Sequence, residues 1–347
     1  MAEAAPSRKS RSRPDVAAPV TIASMDASGM SRLLASTNTA LIRAWVAALR
    51  HVREVNPVQQ VADRIRWHFG PEHLLDGLGD AVQSFASAEH NAYAGAAQAE
   101  ARFADSTVRK KLLNFDPTDS DVMTWAERNR LDLVSGITVE QRILIRAMLI
   151  RIEQEGTNPL EAAKDILDSI GLTPYQDSLV ASYERLLTRG AYGQALQRGL
   201  SSGVADGVIR RARDADRSLT PEQIDRAVDQ YRQNAIRLRA ETIARTESQR
   251  VAHQGSDALY KQALKRGDLD ASQVECGWLA TKDPRTRDTH REMNGQTRDW
   301  GEPFDSPSGA QLMFPGDPSA PGKEVINCRC TRTVRLRAVA EAARRAA

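Results

Sequence analysis

Near Leu264 the sequence changes character, and that change restricts the chain to two kinds of architecture in series. Before it, apolar residues return at helical intervals: Leu33, Leu34, Leu41, Trp45 and Leu49 share one face, and Leu74, Leu75, Leu78, Val82 and Phe85 repeat the spacing. After it come short segments broken by Asp283-Pro284, Asn294-Gly295, Phe314-Pro315-Gly316-Asp317-Pro318 and Ala320-Pro321-Gly322. Turn signals at that density leave no room for long helices. The 347 residues can hold two such parts, at roughly 100 to 200 residues per domain. The pattern predicts a mainly α N-terminal region followed by a small α+β C-terminal module.

Helix starts are written into the first part. Thr138/Gln141, Asn158/Glu161, Thr173/Gln176 and Thr220/Gln223 each place an N-cap residue three positions before a Gln or Glu that can bond back to it. Pro159, Pro174 and Pro221 stand at the first helical position, and Gly136 and Gly171 suit left-handed C-terminal caps. In the second part, Val274 to Leu279 reads as a strand. Ile326 to Leu336 alternates, with Ile326, Cys328, Cys330, Val334 and Leu336 on one face and Asn327, Arg329, Thr331, Thr333 and Arg335 on the other. Arg332 breaks that alternation. The expected division is a disordered basic arm over 1–22, a helical region over 23–235, the module over 236–337 and a basic tail over 338–347. The module is expected to fold by itself from about Gln233.

Several function classes drop out. No apolar run approaches the ~18 residues that a membrane span requires. The basic residues near the start have no apolar stretch behind them, unlike a secretory leader. Three cysteines do not make a disulfide framework, and a net charge of +3 is too balanced to argue nucleic-acid binding by itself. No P-loop, nucleophile elbow or His-Glu-x-x-His helix is present.

What remains is a set of residues in a specific order: Ala244-Arg245-Thr246-Glu247 on a helix, Trp278 on a strand, then Asp283, Arg285, His290 and Gly295, and finally Asn327-Cys328-Arg329-Cys330. This set, from Arg239 to Leu336, resembles the C-terminal module of the phage Mu F-like minor head proteins, the phage head morphogenesis family. The resemblance implies a non-enzymatic minor capsid protein of a tailed phage, prophage or gene transfer agent. It would sit inside the virion head near the portal, after assembly in the host cytoplasm, and aid assembly and genome packaging or delivery. Portal protein is the implied partner, with major capsid or scaffold protein and packaged double-stranded DNA as further candidates and no membrane. The helical N-terminal part matches that family only in kind.

The same residues have direct physical readings. Asp283 before Pro284 favours a turn, which an ion pair with Arg285 would lock. Trp278 reads as a core anchor. Cys328 and Cys330 share a strand face and read as buried packing residues, so no cofactor is expected. The alternative is a structural zinc held by His290, Cys328 and Cys330 with Cys276 or Asp283 as fourth ligand. A competing function is a metal-dependent hydrolase, nuclease or peptidase, built on Asp283, His290, Asp317 and Glu324. The virion context also makes Arg8, Lys9, Arg11, Arg13, Arg335, Arg337, Arg344 and Arg345 candidates for non-specific contact with DNA phosphates. His51, His68, His73, His90 and His253 read as ordinary helical residues.

Overall fold

The computed structural model describes residues 22–23, 27–108, 113–155, 157–200 and 202–337. Apolar stripes become helices largely as their spacing requires. α1 (Ala27–Glu54) buries Leu41, Trp45 and Leu49, while Leu33 and Leu34 are half-buried. The short α2 (Val58–Arg66) and α3 (Pro71–Leu74) lead into α4 (Leu78–Val108), whose Val82 and Phe85 are buried. Then follow α5 (Ser120–Glu155), α6 (Pro159–Ser169), α7 (Pro174–Thr188), α8 (Tyr192–Ala195), α9 (Gly203–Asp214) and α10 (Pro221–Arg266).

Thr173 and Thr220 form complete capping boxes with Gln176 and Gln223, and the Asn158 side chain caps α6 through Leu160 N at 2.8 Å. The start expected at Thr138 is absent, because α5 runs straight through Gly136 and Thr138. Burial of Ile137, Leu144, Ile145 and Met148 keeps the helix in the core, and the Gln141 amide is used elsewhere. It donates to Leu172 O (3.0 Å) and accepts from Gly171 N (2.9 Å), so it closes the turn after α6. Gly171 has the expected left-handed φ of 97°, and a Cβ there would lie 2.7 Å from Leu49 Cδ1.

The strands form one antiparallel sheet in the order β1 (Ile22–Ala23), β6 (Thr331–Leu336), β2 (Val274–Leu279), β3 (Thr297–Asp299). A hairpin, β4 (Phe304–Asp305) with β5 (Gln311–Leu312), and two short helices, α11 (Asp288–Glu292) and α12 (Gly322–Val325), complete the module. The fold is thus mainly α with a small α+β C-terminal part. The last strand begins at Thr331 rather than Ile326: Ile326 is exposed and Asn327 takes a left-handed turn at φ 59°. Arg332, the break in the alternation, points inward opposite Trp278. Its charge is met by Asp257 Oδ1 at 3.0 Å, and it lies 5.3 Å from the ring centres of both Trp300 and Phe314. A buried guanidinium is tolerable only with such partners.

Among the described residues two large apolar cores result, with a small third cluster of Met30, Ala96 and Ala252 where α1, α4 and α10 meet. The first gathers α1, α2, the start of α4, the second half of α5, α6 to α9 and the first half of α10. The second joins the sheet to the end of α10, but also to Tyr93, Ala97, Ala101 and Ala104 of α4 and to Leu113, Phe115 and Val122. The seam is polar as well as apolar: Tyr260 donates to Glu100 Oε1 (3.2 Å), and Gln262 bonds both the N–H and the carbonyl of Asp116 at 2.8 Å. Residues 236–337 therefore share their core with a helix more than a hundred positions upstream. α10, unbroken over 46 residues and about 69 Å long at 1.5 Å per residue, serves the first core as far as Ala244 and the second from Val251.

Candidate functional site

The stretch of α10 between the two cores carries Arg245, Thr246 and Glu247, and its polar groups meet the segment before β6. Arg245 Nη1 donates to Asn327 Oδ1 (3.1 Å), Asn327 N donates to Thr246 Oγ1 (3.1 Å), and Gln249 Nε2 donates to Cys330 O (3.1 Å). Glu247 pairs instead with Arg250, which also binds buried Glu89 at 2.9 Å. Burial drives the Glu247 carboxyl well above its usual range, against the pull of Arg250. Trp278 is 1% exposed and meets His290 and Phe304 edge-on at 5.3 and 5.4 Å. Gly295, at φ 88°, closes the turn that returns to β2 by donating to Trp278 O (2.8 Å).

Asp283 keeps the expected partner at long range and has a closer one. Arg285 donates its backbone N–H to Asp283 Oδ1 (2.9 Å), but its guanidinium is exposed and 3.9 Å away. The close partner is Arg329, which grips both carboxylate oxygens, Nη2 to Oδ1 at 2.6 Å, and holds Asp283 well below the usual carboxylate range. Thr281 Oγ1 donates to Arg329 O (2.5 Å), and Arg287 donates to Ile326 O. The residue between the two cysteines is thus pinned away from them, and both thiols face inward.

There they meet His290. Cys328 Sγ and Cys330 Sγ each lie 3.5 Å from His290 Nδ1, and the three ligand-type atoms all fall within 4.8 Å of one another. All three residues are at most 2% exposed. On the other side of the ring, His290 Nε2 is 2.9 Å from Glu324 Oε2, itself buried. Although desolvation pushes Glu324 up, hydrogen bonds from Ser308 and His290 bring it below its ordinary value. A hydrogen bond from Cys328 holds Cys330 down at about 5 against burial, with further help from His290, and that same bond keeps Cys328 protonated to higher pH. Chemically this is a two-sulfur, one-nitrogen donor set with a carboxylate behind the imidazole.

Neither Cys276 nor Asp283 joins it. Among the described residues, the cluster consists of His290, Cys328 and Cys330. The hydrolase set does not assemble either: Asp317 closes its own loop by accepting from Met313 N, Ser319 N and Ser319 Oγ at 2.7 to 2.9 Å, and Asp283 is held by Arg329. Of the candidate DNA contacts, Arg335 is exposed, whereas Arg337 is paired with Glu275 (2.6 Å) and Asp299 (2.8 Å). Arg8, Lys9, Arg11, Arg13, Arg344 and Arg345 lie outside the described residues, as do the basic arm up to residue 21 and the tail after 337. Among residues the sequence did not single out, His253 is fully buried, bonding Gln249 O through Nδ1 (2.9 Å) and accepting from Arg332 N through Nε2 (3.0 Å). The irregular Arg332 was the available signal for it.

Residues 189–333 match the family model described as phage Mu protein F like protein. Over these residues the chain is similar to the phage Mu F-like proteins. The Mu F-like region starts some fifty residues before the motif set and takes in α8, α9 and all of α10, so the spine helix belongs to it. Every signature residue named above lies within it. No curated protein and no solved structure matches the chain.

Proposed function

We propose that the chain is a minor, non-enzymatic component of the head of a tailed phage, prophage or gene transfer agent. In this reading it lies inside the shell against the portal, and it aids assembly and genome packaging or delivery. The Mu F-like match over 189–333 carries the reading. The geometry supports it in two ways. The polar residues of the signature are spent on holding the segment before β6 in place, with Arg245 and Thr246 bonded to Asn327 and Asp283 paired with Arg329. The helical part also offers a surface: Val139, Ile143 and Ile150 of α5 are each about half exposed, opposite buried Leu144 and Ile145. Their spacing keeps them within about 40° of one another around the helix, an arrangement suited to a groove on a partner.

Portal protein is the first partner, major capsid or scaffold protein the next, and DNA phosphates are met without sequence preference through the basic termini. No helix among the described residues is long and apolar enough to cross a membrane. The test is co-expression of the full chain with the portal of the same genome, followed by pull-down of wild type and an Ile143→Asp/Ile150→Asp variant of unchanged thermal melt. Wild type should co-purify and the variant should not. A wild-type chain that ignores the portal sinks the placement, equal recovery of both moves the docking surface off α5, and chelator-sensitive nuclease or peptidase turnover replaces the reading with the hydrolase.

A further inference from the structure

We infer that His290, Cys328 and Cys330 bind one zinc ion, which ties α11 to the segment that begins the last strand. A tetrahedral zinc with Zn–S of about 2.3 Å and Zn–N of about 2.05 Å has an S···N edge of about 3.5 Å. Both cysteine sulfurs stand 3.5 Å from the same ring nitrogen. Two independent edges of the tetrahedron are already at zinc dimensions.

The surroundings fit the same ion. Zinc-binding histidines turn their second nitrogen to a carboxylate or carbonyl, which fixes the tautomer that leaves the first nitrogen free. Glu324 supplies that group to His290 Nε2. The lone pair at Nδ1 then faces both thiols at equal distance, although it can accept a proton from only one of them. A metal satisfies all three atoms at once. The cage is also held from outside, by Asp283 on Arg329, Thr281 on Arg329 O and Gln249 on Cys330 O, so the ligands are oriented by bonds that leave their donor atoms free.

The local architecture has a use for such a clip. Between β2 and β6 the chain forms only elements of five residues or fewer. Short elements bury little apolar surface each, and a metal closing a loop of about forty residues adds cohesion to the packing of Met293, Phe304 and Leu312. Cys276 and Asp283 lie outside the cluster, so the fourth coordination position falls to a non-protein ligand such as an enclosed water.

The experiment uses the full chain, purified without a histidine tag. Elemental analysis should find one zinc per chain, kept in Cys276→Ser and lost in Cys328→Ser/Cys330→Ser. Replacement of zinc by cobalt(II) should give a thiolate-to-cobalt charge-transfer band in the near ultraviolet, and chelator should lower the melting temperature while opening Cys328 and Cys330 to alkylation. Metal well below one equivalent with no cobalt band overturns the proposal, as does zinc retained by the double variant. Rapid alkylation of Cys330 in the protein as purified, before any chelator, also overturns it, because it reveals a free thiolate held by His290. Should the double variant fail to fold, the cobalt and alkylation results on wild type decide alone.

Discussion

Gly255 of α10 packs directly against the backbone of α4, and replacing it with alanine sets two effects against each other. A Cβ at this position would be 2.5 Å from Tyr93 O and 3.2 Å from Ala97 N, both backbone atoms of α4, whereas ordinary contact starts near 3.4 Å. The helices would have to part by about 0.9 Å at the crossing, and neither neighbour is a side chain that can swing away. Overpacking of this kind costs ~1–3 kcal/mol, and backbone neighbours place it at the upper end, about 3 kcal/mol. Alanine gains about 1 kcal/mol over glycine within a helix, so a net loss of about 2 kcal/mol is expected. Gly207→Ala in α9 is the matched control, since nothing lies within 4 Å of its Cβ position and only the gain of about 1 kcal/mol applies. Urea unfolding followed by far-ultraviolet circular dichroism measures both. If Gly255→Ala is as stable as wild type, the close crossing of α4 and α10 does not constrain the fold as argued.

Burial and the neighbouring Arg332 push His253 down to about 3. The unfolded chain therefore takes up that proton first, near pH 6.5, so stability is full above that pH and declines below it, by about 2 kcal/mol at pH 5; denaturation at pH 7 and 5 should show a slope that His253→Gln lacks. A fragment of residues 236–337 leaves behind the α4 and 113–122 side of its core, so it should aggregate or melt without cooperativity where the full chain melts sharply; a cooperative melt would bear out the independent module expected from sequence texture. Arg329→Lys cannot make the two-point grip on Asp283, and amide exchange over 326–330 should quicken while the first core is unaffected; unchanged exchange there would show that Asp283 does not pin the segment.

What the sequence made legible was local. Thr173, Thr220 and Gly171 act over three or four positions, so their roles follow from spacing alone. Thr138 has the same grammar and no cap, because Gln141 was recruited by a turn 30 residues away, and long-range packing overrode the local preference. The bonds between Gln262 and Asp116 span 146 positions, so nothing near either residue announced that α4 completes the second core. At the site, the chemical identity of His290, Cys328 and Cys330 was enough to group them, and the structure brings all three together. Their supports were not readable: the closest partner of Asp283 proved to be Arg329, 46 residues on, while Arg285, two residues away, stands at 3.9 Å.

Because α10 serves one core up to Ala244 and the other from Val251, the angular phase between those points is fixed by residue count. Each residue added to an α-helix turns everything beyond it by about 100°. One alanine inserted after Thr246 would rotate the face that holds Leu259 and Tyr260 away from the sheet, while the face that holds Tyr231 and Ala235 stayed where it is. The intervening stretch thus works as a gauge whose length is the specification, and variation in length among chains built this way has to fall in the loops.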